Sequence, residues 1–152
     1  MMLEKIISGG QTGADQAGLE AAKELGIATG GTAPQHFMSE RGTCLKLRDE
    51  YGLTEGLYDS KVYPKRTRQN VEDSDATAIF GNVGSPGTRL TCSLCVELEK
   101  PWVVNPTAVD LLEFLEQHNV KVLNVAGNRE SVNPGIQARV RNFLVEVCRG
   151  CC

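Results

Sequence analysis

Ser8-Gly9-Gly10-Gln11-Thr12-Gly13 follows a short apolar run and opens onto a stretch with helical spacing. Gly81-Asn82-Val83-Gly84-Ser85-Pro86-Gly87-Thr88 repeats that arrangement further along the chain. A glycine-rich turn between a strand and a helix aims backbone N–H groups and the positive end of the helix dipole at one spot. The natural occupant of such a spot is an anion, most often a phosphate. In the first turn the candidates are Gly9, Gly10, Gln11, Thr12 and Gly13. Gly10 and Gly13 fall where a dinucleotide fingerprint needs close backbone approach and close helix–strand packing, whereas Ser8 replaces its first glycine. The acidic residue expected about 20 positions on, to hold a ribose, is missing, since the chain there reads Ala28-Thr29-Gly30-Gly31. These residues exclude a standard NAD site and keep an anion site; a tight turn with no ligand is the plainer alternative.

In the second turn Ser85, Gly87 and Thr88 can cap a helix or donate to an anion. Asn128-Arg129 follows a later strand, with Arg129 placed for an anion or for pairing with Glu130. Lys65-Arg66-Thr67-Arg68 opens a helix, where positive charge opposes the dipole. Either a facing anion or simple solvation accounts for that. No G-x-S-x-G elbow and no P-loop occurs, and the only histidines are His36 and His118. No general base stands at the end of any strand, so no catalytic residue is assigned.

The elements that must position these turns alternate strand and helix. Strands are expected at Leu3–Ser8, Ile27–Gly31, Ala76–Phe80, Trp102–Asn105 and Val120–Ala126, and helices at Thr12–Leu25, Thr67–Asp73, Thr88–Glu99, Ala108–His118 and Pro134–Val147. Thr12 and Asp15 form an N-cap pattern, and Leu111, Leu112 and Leu115 form an inner helical face. The expected fold is α/β: a three-layer αβα sandwich with a mainly parallel sheet of about five strands, in one domain spanning 1–152. Ligands of such sheets sit outside the carboxyl ends of the strands. Segment 32–65 lacks clear periodicity, with one helical turn near Cys44–Tyr51. It reads as a cover over the ligand site, or equally as a floppy insertion or an oligomer contact.

The net charge of −3, from 16 basic and 19 acidic residues, argues against general nucleic-acid binding. No apolar stretch is long enough for a membrane span, and no secretory leader is evident, so a cytoplasmic protein is expected. Cys92-x-x-Cys95 and Cys148-x-x-Cys151-Cys152 have metal-ligand spacing. Cys95, however, falls on the apolar stripe of its helix and the second group on the chain end. They read as buried or incidental thiols, and no metal site is assigned.

In combination, SGGQTGAD (8–15), RTRQNVEDSDATAIF (66–80), SPGTRLT (85–91), NVAGNRES (124–131) and PGI (134–136) resemble the molybdenum cofactor carrier proteins. These belong with the LOG-type, lysine-decarboxylase-like and DprA-like Rossmann proteins. The resemblance implies a Rossmann-like fold, a homo-oligomer (dimer or tetramer), delivery to partner enzymes, and binding of the molybdenum cofactor (molybdopterin) or molybdate without turnover. Carried over position by position, it adds Arg66, Thr67, Asn70, Ser74 and Asp75 to the ligand-facing candidates, beside Gly10–Gly13, Ser85, Gly87 and Thr88. Asp15 and Asp75, as carboxylates, suit a cap or a ring N–H better than a phosphate. Segment 30–36 departs from the family pattern. LOG-type hydrolases of nucleoside monophosphates carry a catalytic glutamate where this chain has Thr91, which cannot do acid–base work. A sensor that binds a nucleotide phosphate is the remaining alternative.

Overall fold

The computed structural model describes residues 3–56 and 65–151. Five parallel strands form the central sheet: β1 (Lys5–Ile7), β2 (Ala28–Gly30), β7 (Ala76–Phe80), β8 (Trp102–Val104) and β9 (Val122–Gly127), in the order β2-β1-β9-β7-β8. The last strand therefore lies in the middle, with Lys5–Ile7 paired to Val122–Asn124 on one side and Ala76–Phe80 to Leu123–Gly127 on the other. Helices α1 (Ala14–Leu25), α5 (Ala108–Gln117) and α6 (Ile136–Cys148) cover one face, and α3 (Lys65–Glu72) and α4 (Pro86–Glu97) the other. This is the expected Rossmann-like α/β sandwich.

The two faces differ in chemistry. Under α1, α5 and α6 lies the main core, where Ile6, Leu123 and Val125 of the sheet meet Ala17, Ala21, Leu115 and Leu144. The small alanines of α1 let it pack close to the sheet. Beneath α3 and α4 the apolar cluster is only Val71, Leu94 and Cys95 with Leu90 and Leu98 at its margin. On that face the strands contribute Thr77 and Asn124, which bond to each other (Nδ2 to Oγ1, 3.2 Å). A polar pair in the middle of a parallel sheet gives up hydrophobic burial, so that face is built for something besides packing.

Several boundaries move for identifiable reasons. Pro86 takes the first position of α4, where its missing N–H costs nothing, so that helix starts before Thr88. Leu112 is 39% exposed rather than inward, because Leu111, Phe114 and Leu115 already complete the buried stripe of α5. Thr107 caps α5 through a reciprocal box with Asp110.

The described part of segment 32–65 is more regular than its sequence implies. It forms β3 (Thr32–Ala33), the hairpin β4 (Met38–Ser39) and β5 (Gly42–Thr43), the single turn α2 (Lys46–Asp49), and β6 (Thr54–Glu55), which pairs with β3. Phe37, Leu47, Tyr51 and Leu53 pack with Leu19 of α1 and Ala33 into a satellite core. Residues 57–64 of the segment lie outside the described residues. None of the helices among the described residues is long and apolar enough to cross a membrane.

Candidate functional site

A cavity of about 430 Å³ opens between α3 and α4 at the carboxyl end of the sheet. Arg66, Thr67 and Asn70 form one wall; Ser85, Gly87, Thr88 and Thr91 form the other. Asn124 and Ala126 make the floor, and Gly9, Gln11, Asp15, Asn128 and Arg129 close the strand-end side. None of residues 32–56 lines it. Within the described residues, the cover segment therefore sits on the first glycine turn rather than on this cavity.

The second glycine turn is open to a ligand. Ser85 is the N-cap of α4 but makes no capping bond to the helix. Its Oγ bonds instead the carbonyl of Asn82 and the Thr88 Oγ1, both at 2.9 Å. The first-turn N–H groups of Gly87 and Thr88 thus lack a capping side chain, and both residues line the cavity. Buried Asn128 braces this turn: its Oδ1 accepts from the Asn82 N–H at 2.6 Å and its Nδ2 donates to Ser85 Oγ at 2.9 Å. Exposed Arg129 follows on the rim.

The first turn is closed to one. Gly10 N–H donates to Ser8 Oγ (3.2 Å), Gln11 N–H to Asp15 Oδ2 (3.2 Å), Gly13 N–H to Gln137 Oε1 (2.8 Å) and Ala14 N–H to the Asn128 carbonyl (3.1 Å). The expected N-cap pattern of Thr12 and Asp15 does not form. Gly13 is the N-cap, Asp15 satisfies the turn from inside it, and the Thr12 hydroxyl goes to Glu40 at the tip of the β4–β5 hairpin. Gly10 has a left-handed φ of 77°, and a Cβ there would lie 2.8 Å from Leu47 Cδ1, so it faces the satellite core and not the cavity. Ser74 and Asp75 lie away from the cavity, at the amino end of the sheet. Ser74 bonds the Val71 carbonyl, and Asp75 accepts the N–H groups of Lys121 and Val122, each at 2.9 Å.

Of the sequence candidates, the structure thus brings Gly9, Gln11, Arg66, Thr67, Asn70, Ser85, Gly87, Thr88, Asn128 and Arg129 to one cavity. Gly10, Thr12, Gly13, Ser74 and Asp75 are placed elsewhere. Asn70 also anchors β3, exchanging bonds of 2.8 and 3.0 Å with the Thr32 backbone.

Asp15 and Asn124 are the cavity residues that the motifs underrated. Asp15 shares the space beside Gly9 with Arg66: a Cβ on Gly9 would lie 2.5 Å from the guanidinium and 3.0 Å from the carboxylate. Burial raises the Asp15 pKa from 3.8 to about 6, against the opposing pull of Arg66 and the N–H groups of Gln11 and Gly9. Burial also lowers the Arg66 pKa, and Asp15 partly restores it. A carboxyl whose folded pKa lies above its unfolded one favours folding below about pH 4, and that advantage disappears as pH rises through 6. On lowering the pH from 7 to 4 the wild type should therefore gain roughly 2 kcal/mol relative to Asp15→Asn, at about 1.4 kcal/mol per pKa unit. Urea denaturation of both proteins across that range measures it, and a constant difference between them contradicts it.

Cys95 is buried, and its thiol is pushed up to about 11 by that burial. Among the described residues no cluster of His, Cys, Asp and Glu has a metal-binding arrangement. Thr91, at the position of the LOG-type glutamate, lines the cavity with its hydroxyl donating to the Gly87 carbonyl at 3.1 Å.

Comparison with known proteins agrees with this architecture. The model of a family described as the circularly permutated YpsA SLOG family matches residues 6–148. A solved structure named as a putative molybdenum carrier protein, from Syntrophus aciditrophicus SB, is 34% identical over 95% of this chain and 94% of its own, with a TM-score of 0.82. No curated protein matches.

Proposed function

Because the chain belongs to the circularly permutated YpsA SLOG family, we propose that it binds and carries an anionic, phosphorylated cofactor, the molybdenum cofactor or molybdate, without turning it over. One observation carries this reading: the uncapped N-terminus of α4 opens into a cavity whose walls also hold Arg66 and Arg129. Backbone N–H groups, the Thr88 hydroxyl and two guanidinium groups together suit an oxyanion. The name of the solved relative supports molybdenum as the cargo. When bound, the cofactor's phosphate would be held by the Gly87 and Thr88 N–H groups, Arg66 and Arg129. Trp102, Val109 and Leu112, exposed along the β8 edge and α5, support the homo-oligomer that the resemblance implies.

The test is gentle purification followed by native mass spectrometry and absorbance spectroscopy, with calorimetric titration of molybdate and inorganic phosphate. A co-purified pterin mass, or saturable binding of either oxyanion that is lost in Thr88→Val, is the expected result. Absence of the pterin together with absence of oxyanion binding contradicts the proposal. A second reading has one observation in its favour: Asp15, with a pKa of about 6, is a carboxyl poised for proton transfer inside the cavity. Base release from nucleoside monophosphates that stops in Asp15→Asn would establish a hydrolase instead.

A further inference from the structure

The cavity presents donors and acceptors side by side. Its donors are the N–H groups of Gly87 and Thr88 and the guanidinium groups of Arg66 and Arg129. Its acceptors are Asn124 on the floor and Asp15, beside Arg66, on the strand-end side. Asn124 is only 3% exposed, and its Nδ2 is committed to Thr77 Oγ1 at 3.2 Å. No hydrogen bond among the described residues reaches its Oδ1, and no buried side-chain oxygen or nitrogen among them is left unpaired, so this acceptor meets the cavity. Asp15, a residue 9% exposed, contributes a carboxylate that accepts the N–H groups of Gln11 (3.2 Å) and Gly9 and faces Arg66. Two carboxylate oxygens provide about four lone-pair sites, so it retains capacity to accept more. Acceptors that meet the cavity give up water when a ligand enters, so the ligand must supply donors in its place.

We infer that Asp15 and Asn124 read the ring of the ligand, selecting a 2-amino-4-oxo-pyrimidine edge, as in pterins and guanine, over adenine. The inference rests on the anionic-cofactor reading above, since the oxyanion must first be held at α4. A carboxylate accepts two parallel N–H bonds. The 2-amino-4-oxo edge presents that pair as a ring N–H beside an exocyclic NH2. Adenine presents an exocyclic NH2 beside a ring lone pair, which would face the carboxylate as acceptor against acceptor. The remaining N–H groups of the favoured ring are complementary to Asn124 Oδ1. A site built around hydrogen bonds rejects a ring that cannot make them, because its buried polar groups are then left unpaired.

The experiment titrates the full chain at pH 7.5 with GMP, AMP and pterin-6-carboxylate, using calorimetry for the nucleotides and intrinsic fluorescence for the pterin. Inorganic phosphate is the control. Either GMP or the pterin should bind at least about tenfold tighter than AMP, equivalent to about 1.4 kcal/mol. The one that binds tighter identifies the source of the ring. Asp15→Asn should bring the ratio to AMP close to one. If that variant does not fold by circular dichroism, Asn124→Leu serves, with the same loss expected. Phosphate binding together with equal affinity for all three ring ligands overturns the inference and leaves the oxyanion reading standing. Failure of every probe, phosphate included, overturns both.

Discussion

Gly13→Ala is expected to destabilise the fold by about 3–5 kcal/mol. Gly13 is the N-cap of α1 at φ 85°, a conformation that costs an L-residue about 1–2 kcal/mol. A Cβ there would also stand 2.2 Å from the Asn128 carbonyl oxygen and 2.8 Å from the Glu130 nitrogen. Those obstacles are backbone atoms, and they cannot rotate away as a side chain would. Overpacking of this kind typically adds a further 1–3 kcal/mol. The cost is also structural, because the Ala14 N–H bonds the same Asn128 carbonyl and Gly13 N–H bonds Gln137. Pushing the helix back breaks both contacts. For a chain of this size the melting temperature should fall by about 10 °C. Gly26→Ala is the internal control: φ there is 76°, but nothing lies within 4 Å of the added carbon. It should cost about 1 kcal/mol, mostly backbone strain. Equal melting temperatures for the two variants would show that close contact at Gly13 carries no weight.

Arg66→Glu should abolish oxyanion binding, with a loss of at least about 100-fold. Arg66 lines the α3 wall and is the cation that opposes Asp15. Reversal removes its attraction for the ligand and sets a second carboxylate beside the first, both repelling an anion. A charge-assisted hydrogen bond is worth roughly 1.5–3 kcal/mol, and a tenfold change about 1.4 kcal/mol, so the lost contact and the added repulsion together reach that factor. Arg66→Lys keeps the charge and loses the planar fork, so affinity should fall only partly. Calorimetric titration with molybdate or phosphate checks both variants. Undiminished binding in Arg66→Glu would move the oxyanion elsewhere. Arg68, two positions along the same helix, bonds Glu72 at 3.0 Å and Glu97 at 3.1 Å and does not line the cavity, so Arg68→Ala should leave affinity unchanged.

Both variants address residues that local pattern picked out, and it is instructive where pattern stopped. Gly13 is legible because close packing of helix on strand demands glycine at that point of the turn. The sheet is legible because its strands are apolar runs set between helical spacings. The openness of each glycine turn is not. Whether N–H groups are free depends on acceptors brought from far along the chain. Gln137 closes Gly13, while Asn128 holds Asn82 and Ser85 so that α4 stays uncapped. Ser74 and Asp75 match a family motif but lead into β7 rather than out of it, and in a parallel sheet that puts them at the opposite end from the cavity. Asn124 sits within Leu123-Asn124-Val125-Ala126, which reads as plain strand. Its importance follows only from the sheet face that the pleat assigns to it.

The place of β9 also has a consequence for synthesis. The sheet consists of two parallel pairs, β2 with β1 and β7 with β8, joined only by the strand between them. Both pairs leave the ribosome before their common neighbour, each with an unpaired backbone edge facing the gap that β9 will fill. Such edges invite pairing with other chains. The nascent protein can therefore form halves early but not a continuous sheet, and the commitment to fold must wait for Val122–Gly127 to emerge.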